Sequence, residues 1–294
     1  DHIETFLDGK KKIVVEFSSD SFIIDSLNLL KDGGDFVQIG EDLSWHLVLN
    51  KLTTDRDIYE IIVLDTNGII VGASNLKKKE VGEDKSNSEL KFVEGKVKPF
   101  ISDIFYDKEF NKNAFTVSAP IRPRGEFLGV IVTKMELSTL FDITTDRTGL
   151  GETGEIYITN KEGYLLTPSR FLEGENKGVL TQRVDTENSK KCLEGLEIYG
   201  AFDERGLKRH SEVSEGTIFE DYRGEDVLGV HTHIVGQTWC LLAEIDESEA
   251  LGIAQKKLLI VSLFILFAMS LLYALLIHFA GKFFDTKIKP RRRK

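Results

Sequence analysis

Gly149-x-Gly151-x-x-Gly154 has the spacing of a dinucleotide-binding fingerprint. That chemistry needs a strand before the glycines and a helix N-terminus after them to face a pyrophosphate. Here the apolar run EIYITN at 155–160 follows instead, so the segment reads as an interdomain loop whose glycines permit tight turns. His231 and His233 stand two apart in an expected strand, which brings both imidazoles out on one face where they could share a metal. No third ligand has matching local spacing, and no metal is expected on this pair alone. Asp103, Tyr106 and Asp107 in FISDIFYD (100–107) could set two carboxylates and a phenol at a pocket rim, or form the polar ends of a strand. Cys192 and Cys240, the only cysteines, fit an oxidising compartment either as a disulfide or as two separate buried thiols. Catalysis has no visible seat. There is no Gly-x-Ser-x-Gly, Walker loop, His-Glu-x-x-His or kinase signature, and the acidic residues are scattered. No cofactor is expected.

The elements that must position these residues show in the apolar spacing. Ile3, Phe6, Leu7, Ile13, Val14, Phe17, Ile24, Leu27 and Leu30 recur near the helical period before Gly33-Gly34, which predicts one long opening helix. A short helix over 43–52 follows, and then the period becomes that of strands. Residues 59–65 (YEIIVLD) and 69–74 (IIVGAS) flank Asn67-Gly68, a pair that tolerates positive φ, and predict a hairpin. Next come a helix near 88–97 and strands at about 100–106, 114–121 and 127–134. The order recurs: strands at 155–160 and 164–169, a helix near 190–198, and strands at 217–222, 227–235 and 238–245. Duplication of a small domain is the economical explanation, reinforced by the similar segments RGEFLGV at 124–130 and RGEDVLGV at 223–230. Antiparallel strands with one helical connection per unit describe an α+β domain, with one face of the sheet free to form a pocket. Asp246 is expected to cap a final helix over 246–255.

That helix leads into LLIVSLFILFAMSLLYALLI at 258–277, which carries no charge. About 20 to 24 helical residues cover roughly 30 to 36 Å, the thickness of a bilayer core. The net charge of −10 is unevenly placed, because Lys282, Lys287, Lys289, Arg291, Arg292, Arg293 and Lys294 follow the apolar run against Asp285 alone. The positive-inside rule therefore puts the C-terminus in the cytoplasm and residues 1–255 outside. An acidic body without a basic, aromatic-interleaved stripe argues against nucleic acid as a partner. The first residue is Asp1, and neither an n-region nor an h-region follows, so an export signal or an earlier membrane helix is expected upstream.

HIETFLDGKKKIVVEFSSDSFI (2–23), FISDIFYD (100–107), TVSAPI (116–121), GVIVTKMEL (129–137) and above all TGLGETGEIYITNKEGYLLTPSRF (148–171) resemble the double Cache sensor domains of prokaryotic transmembrane receptors. WCLLAEIDESEA (239–250) looks like the exit of the second module in such receptors. The resemblance covers nearly all of residues 1–250. It implies a long N-terminal helix over 1–40, a membrane-distal PAS-like module over 41–147 and a membrane-proximal one over 148–250. A transmembrane helix over 256–281 and a cytoplasmic juxtamembrane segment over 282–294 complete the expected division. It also implies ligand binding in the distal module, on the strands after its helix, where Asp103, Phe105, Tyr106, Asp107, Ser118 and Lys134 are the expected contacts. Amino-acid-binding members carry an Arg-x-Trp-Tyr signature ahead of the strand matching FISDIFYD, and an amine-binding Asp on the last distal strand. Residues 89–99 (ELKFVEGKVKP) hold no Arg, Trp or Tyr, and Lys134 stands where that Asp would align. An ammonium there repels an α-amino group and attracts a carboxylate, which favours an organic acid or another anion. Alternatively Lys134 snorkels to water at the strand end.

The reading is thus a small-solute sensor, not an enzyme, whose distal module shifts the helix leading through the membrane to an output domain. A histidine kinase is the expected output, a chemoreceptor or diguanylate cyclase the alternatives. The opening helix is expected to pack partly against a second copy in a parallel homodimer. A membrane-anchored extracellular enzyme and an adhesion protein are the rivals from other classes.

Overall fold

In the computed structural model of the chain, which describes residues 2–77, 80–88, 91–174, 176–199 and 213–287, the opening apolar stripe is carried by two helices rather than one. They are α1 (His2–Ser18) and α2 (Ser21–Lys31). The break has a local cause. Ser18 and Ser19 turn their hydroxyls back onto the carbonyls of Val15 and Glu16. Asp20, extended at φ −66° and ψ 127°, then caps the next helix by accepting from the Ile23 N–H at 3.1 Å. Apolar spacing runs through such a cap because both helices keep a buried face, so spacing alone does not locate it. α3 (Phe36–Asn50) begins well before the expected 43, because Asp35 accepts from the N–H groups of Val37 and Gln38 at 2.9 and 3.0 Å. Lys51 Nζ lies 2.6 Å from Asp20 Oδ2, which ties the end of α3 to the α1–α2 break. The expected boundary after residue 40 falls inside α3.

The first sheet is antiparallel and contains β1 (Ile58–Leu64), β2 (Ile70–Ala73), β3 (Phe100–Ile101), β4 (Phe105–Asp107), β5 (Lys112–Ile121) and β6 (Gly129–Glu136). Its order is β2-β1-β6-β5-β3, with β4 also on β5. The β1–β2 turn forms where predicted, with Asp65 Oδ1 accepting from Asn67 and Ile69 and Gly68 at φ 88°. Alternation divides the faces. Ile61, Val63, Phe115, Val117, Ala119, Ile131 and Met135 join Leu7, Val14, Phe17, Leu43 and Leu47 of the helices in one core. Ile62, Leu64, Val130 and Val132 face the other way, against Phe92 of α4 (Phe92–Val97). Each such fully buried side chain contributes about 1.5–3 kcal/mol. A Cβ at Gly129 would stand 2.1 Å from the Leu64 carbonyl oxygen, so β6 enters the sheet beside β1 only with glycine there.

α5 (Ser138–Thr145) leads to a second antiparallel sheet: β7 (Glu155–Thr159), β8 (Thr217–Glu220), β9 (Asp226–His233) and β10 (Cys240–Asp246), ordered β7-β10-β9-β8. α6 (Glu187–Tyr199) covers part of it. The expected strand at 164–169 is absent: only single bridges join Thr159 to Leu165 and Tyr164 to Arg183. In each sheet the last strand, β6 or β10, lies between the first strand and the penultimate one. The similar segments at 124–130 and 223–230 are therefore not equivalent. The first connects β5 to β6, whereas the second connects β8 to β9, one hairpin earlier. Their likeness is turn chemistry, since both chains reverse through a glycine at φ 85–90°, Gly125 and Gly224.

The two sheets share a core. Ile158, Leu166, Ile234 and Trp239 from the second pack into the same cluster as Ile3, Leu7, Ile101, Ile104 and Phe115. β10 runs straight into α7 (Glu247–Lys287), 41 residues long and long and apolar enough to cross a membrane by length and composition. Asp246 does not cap it; its carboxylate accepts from Arg223 Nη2 at 2.6 Å. The first turn of α7 is gripped by the glycine loop instead. Glu249 accepts from the N–H groups of Glu152 and Thr153 at 2.9 and 2.8 Å and from the Thr153 hydroxyl at 2.5 Å. Gly151, at φ 68°, leaves the room: a Cβ there would lie 2.2 Å from Glu249 Oε1. The loop of fingerprint glycines thus presents the backbone donors of Glu152 and Thr153 to an anion that belongs to the chain itself. Most of the expected segment over 282–294 lies outside the described residues.

Candidate functional site

The face of the first sheet turned away from α1 and α3 carries polar residues in the middle of apolar strands. Glu60 of β1 and Thr116 of β5 lie on either side of Lys134 of β6 in the register. Ser118, two residues on from Thr116, is opposite Val132 and beneath Gly95 of α4. All four polar side chains are buried, Glu60 completely. Lys134 Nζ lies 2.8 Å from Glu60 Oε2 and 3.1 Å from Asp107 Oδ2. Tyr59 donates to the same Asp107 oxygen at 2.9 Å, and Asp107 Oδ1 accepts from the N–H groups of Glu109 and Phe110. The Lys134 ammonium sits 5.5 Å from the Phe110 ring centroid, and that ring packs on Tyr59.

Burial works against the Lys134 ammonium, but Glu60 and Asp107 outweigh it and hold its pKa above the usual lysine value. Burial also works against the Asp107 carboxylate, yet Lys134 and Tyr59 pull its pKa below the ordinary one. For Glu60 burial wins over Lys134, and its pKa is raised. Tyr59 is pushed far up by burial and by Asp107. Two carboxylates thus surround one ammonium. Glu60 Oε1 is left over: it is buried and has no hydrogen-bond partner among the described residues. A buried acceptor without a donor is costly, and a ligand cation or N–H would satisfy it.

Of the residues expected in the site, the structure brings together Asp107 and Lys134, with Ser118 on the same face. Lys134 does not reach water, so the snorkelling alternative is overturned: its side chain is 8% exposed. Nor is it an uncommitted cation. Phe105 is half-buried at the edge of β4. Tyr106 points outward, with its hydroxyl on Asn111. It lines a separate cleft of about 260 Å³ with Lys112, Glu136 and Ser138. Asp103 lies at the junction of the sheets, where its Oδ1 accepts from Trp239 Nε1 at 2.8 Å and Thr238 Oγ1 at 3.3 Å. Tyr59 and Glu60 escaped the sequence reading. Their only signal is a charged residue at a core-facing position inside YEIIVLD.

His231 and His233 share a face of β9 but not a ligand. His231 Nδ1 lies 2.7 Å from Asn188 Oδ1, and His233 Nε2 lies 2.8 Å from the Cys192 carbonyl oxygen. Cys192 and Cys240 form a disulfide, with Cα atoms 6.2 Å apart. His233 is close to both sulfurs, but sulfurs bonded to each other offer no thiolate to a metal.

Residues 1–253 match the family model described as Cache domain. Sequence comparison with curated proteins finds no match. Among solved structures, the fold is similar to the ligand-binding domain of the Pseudomonas aeruginosa PAO1 amino acid chemoreceptor PctC in complex with GABA. That domain is 17% identical, with a TM-score of 0.54 over 83% of this chain and 93% of that one. The sensor domain of the V. cholerae histidine kinase DctB is 13% identical, with a TM-score of 0.54 over 84% and 92%. The ligand-binding domain of the Pseudomonas fluorescens chemoreceptor CtaA in complex with L-leucine is 13% identical, with a TM-score of 0.53 over 85% and 91%.

Proposed function

The chain belongs to the Cache domain family, and from that premise we propose that it is the extracytoplasmic sensing region of a transmembrane signal-transduction receptor. In this reading α1 and α2 precede a membrane-distal module and a membrane-proximal one that meet near residue 148. A small solute binds the polar face of the first sheet, α7 crosses the membrane, residues 1–255 lie outside and the C-terminus lies in the cytoplasm. The output is a histidine kinase, or alternatively a chemoreceptor or cyclase; the solved neighbours include a histidine kinase and chemoreceptors. Phe22, Leu29, Trp45 and Leu49, exposed on α2 and α3, offer an apolar face to a second copy in a parallel dimer.

The preference for an anion is not carried forward. It needed a free ammonium at Lys134, and that ammonium already faces Glu60 and Asp107. A ligand carboxylate arriving alone would meet a site whose charge is negative on balance. The open oxygen of Glu60 favours a solute bearing an ammonium group, which is the one observation that carries the ligand class. GABA and L-leucine, bound by two of the similar domains, each carry an amine.

Thermal melts of the full chain against amino acids, amines and organic acids test this. Ammonium-bearing solutes should stabilise it by about 2.7 kcal/mol at a hundred times the dissociation constant, and Glu60→Gln should abolish the shift. Stabilisation by dicarboxylates alone, unaffected by that substitution, would sink the assignment.

A further inference from the structure

Glu244 occupies, in the second sheet, the position Lys134 holds in the first. It lies across from Glu155 of β7 on one side and Gly229 of β9 on the other, as Lys134 lies across from Glu60 and Thr116. Glu155 and Glu244 are 4% and 5% exposed. Like charges directly opposite each other on a sheet repel, and burial strengthens the repulsion.

The two carboxylates are unequally served. Glu155 Oε1 accepts from the Tyr222 hydroxyl at 2.5 Å, and Oε2 from the Arg170 N–H at 3.1 Å with the Ser169 hydroxyl at 3.3 Å. Glu244 Oε1 accepts from Asn188 Nδ2 alone, at 3.2 Å. Glu244 Oε2 and the Tyr157 hydroxyl are both buried without a well-aligned hydrogen bond among the described residues, and the group that acts on the Glu244 carboxyl here is Tyr157 itself. Asn188 is held in that orientation from behind: His231, protonated on Nδ1, donates to Asn188 Oδ1.

We propose that Glu244 is a proton-operated switch: with its proton it shares the buried site with Glu155, and without it the two carboxylates repel and displace β10 together with α7. The charged and titratable groups described around it include no counterion. β7 supplies Glu155 and Tyr157. α6 supplies neutral Asn188, with Lys191 acting on His231. β9 supplies His231, kept neutral by burial, the neighbouring His233 and Lys191. The β8–β9 turn supplies Asp221, Tyr222 and Arg223, and the guanidinium of Arg223 is bound by Asp221 and Asp246. The 169–170 segment gives its donors to Glu155. Among the described residues no ammonium or guanidinium pairs with Glu244. Burial pushes its carboxyl up to about 7.

Only the transmission through α7 rests on the receptor reading; the protonation does not. Infrared difference spectra of the full chain across neutral pH should contain a carboxylic-acid carbonyl band that disappears with a midpoint near 7 and is missing in Glu244→Gln. Amide exchange over 240–252, corrected for intrinsic rates, should rise about tenfold across that midpoint in the wild type and stay flat in the variant. Glu155→Gln, which removes the opposing charge, should move the midpoint down toward the ordinary carboxylate range. A band titrating only in that ordinary range, the same exchange course in wild type and Glu244→Gln, or a midpoint unmoved by Glu155→Gln would each overturn the proposal. A chain that binds no ammonium solute would still show this titration, so the two assignments fail separately.

Discussion

At one position the two sheets solve the same electrostatic problem in opposite ways. The first sheet sets an ammonium between Glu60 and Asp107, so that three desolvated charges are held by one another. The second sets Glu244 against Glu155 and, among the described residues, gives one of its oxygens no well-aligned hydrogen bond. The scaffold is the same, with the last strand between the first and the penultimate. A single side chain decides whether the face is closed by an ion pair or by a proton. The lesson is that a duplicated scaffold does not duplicate a site, because burial makes the chemistry of each central residue decisive.

The largest test of that contrast is Lys134→Met, which removes the cation and leaves two buried carboxylates. It should cost about 3–5 kcal/mol in urea unfolding. A loss below about 1 kcal/mol would mean the triad is not held by charge. Next is the pH course of Glu244→Gln. Its carboxyl is raised from 4.5 to about 7, so its contribution to stability is fully present below about pH 4.5. It is lost as pH rises through 7, because the unfolded chain gives up this proton first. At pH 8 the variant should therefore be more stable than the wild type by up to about 3 kcal/mol, and at pH 4.5 the two should coincide. A difference independent of pH would break the contrast with Lys134. The smallest effect falls between the sheets. Trp239→Phe keeps the ring packing but removes the donor to Asp103, which should cost about 1–2 kcal/mol in the same melts. No change would show that Asp103 is satisfied by Thr238 alone.

Much of this architecture is legible in the residues. The hairpin at Asn67-Gly68 and the apolar length of α7 each carry a physical signal strong enough to stand alone, and the segment at 148–171 carries the family resemblance. What escapes the sequence depends on partners distant along the chain. Lys134 reads as a free cation until Glu60 and Asp107, 74 and 27 residues away along the chain, are placed beside it. Asp103 reads as a pocket carboxylate until Trp239 arrives from the other sheet. The α1–α2 break depends on a single Asp cap that leaves the apolar period undisturbed. Residues 164–169 have the composition of a strand, but beyond single bridges to Thr159 and Arg183 they find no ladder.

The grip of the glycine loop on Glu249 also sets a mechanical ratio. α7 is 41 residues long, roughly 60 Å at about 1.5 Å per residue, and its first turn is pinned to backbone donors at residues 152 and 153. Such a rod pivots about its clamped end. A tilt of about 2° there, too small to break either bond, sweeps the far end through roughly 2 Å, the scale of displacement that switches packed helices. In the proposed receptor the loop serves as a fulcrum, and the leverage comes from the length of the rod rather than from any large rearrangement of the sheets.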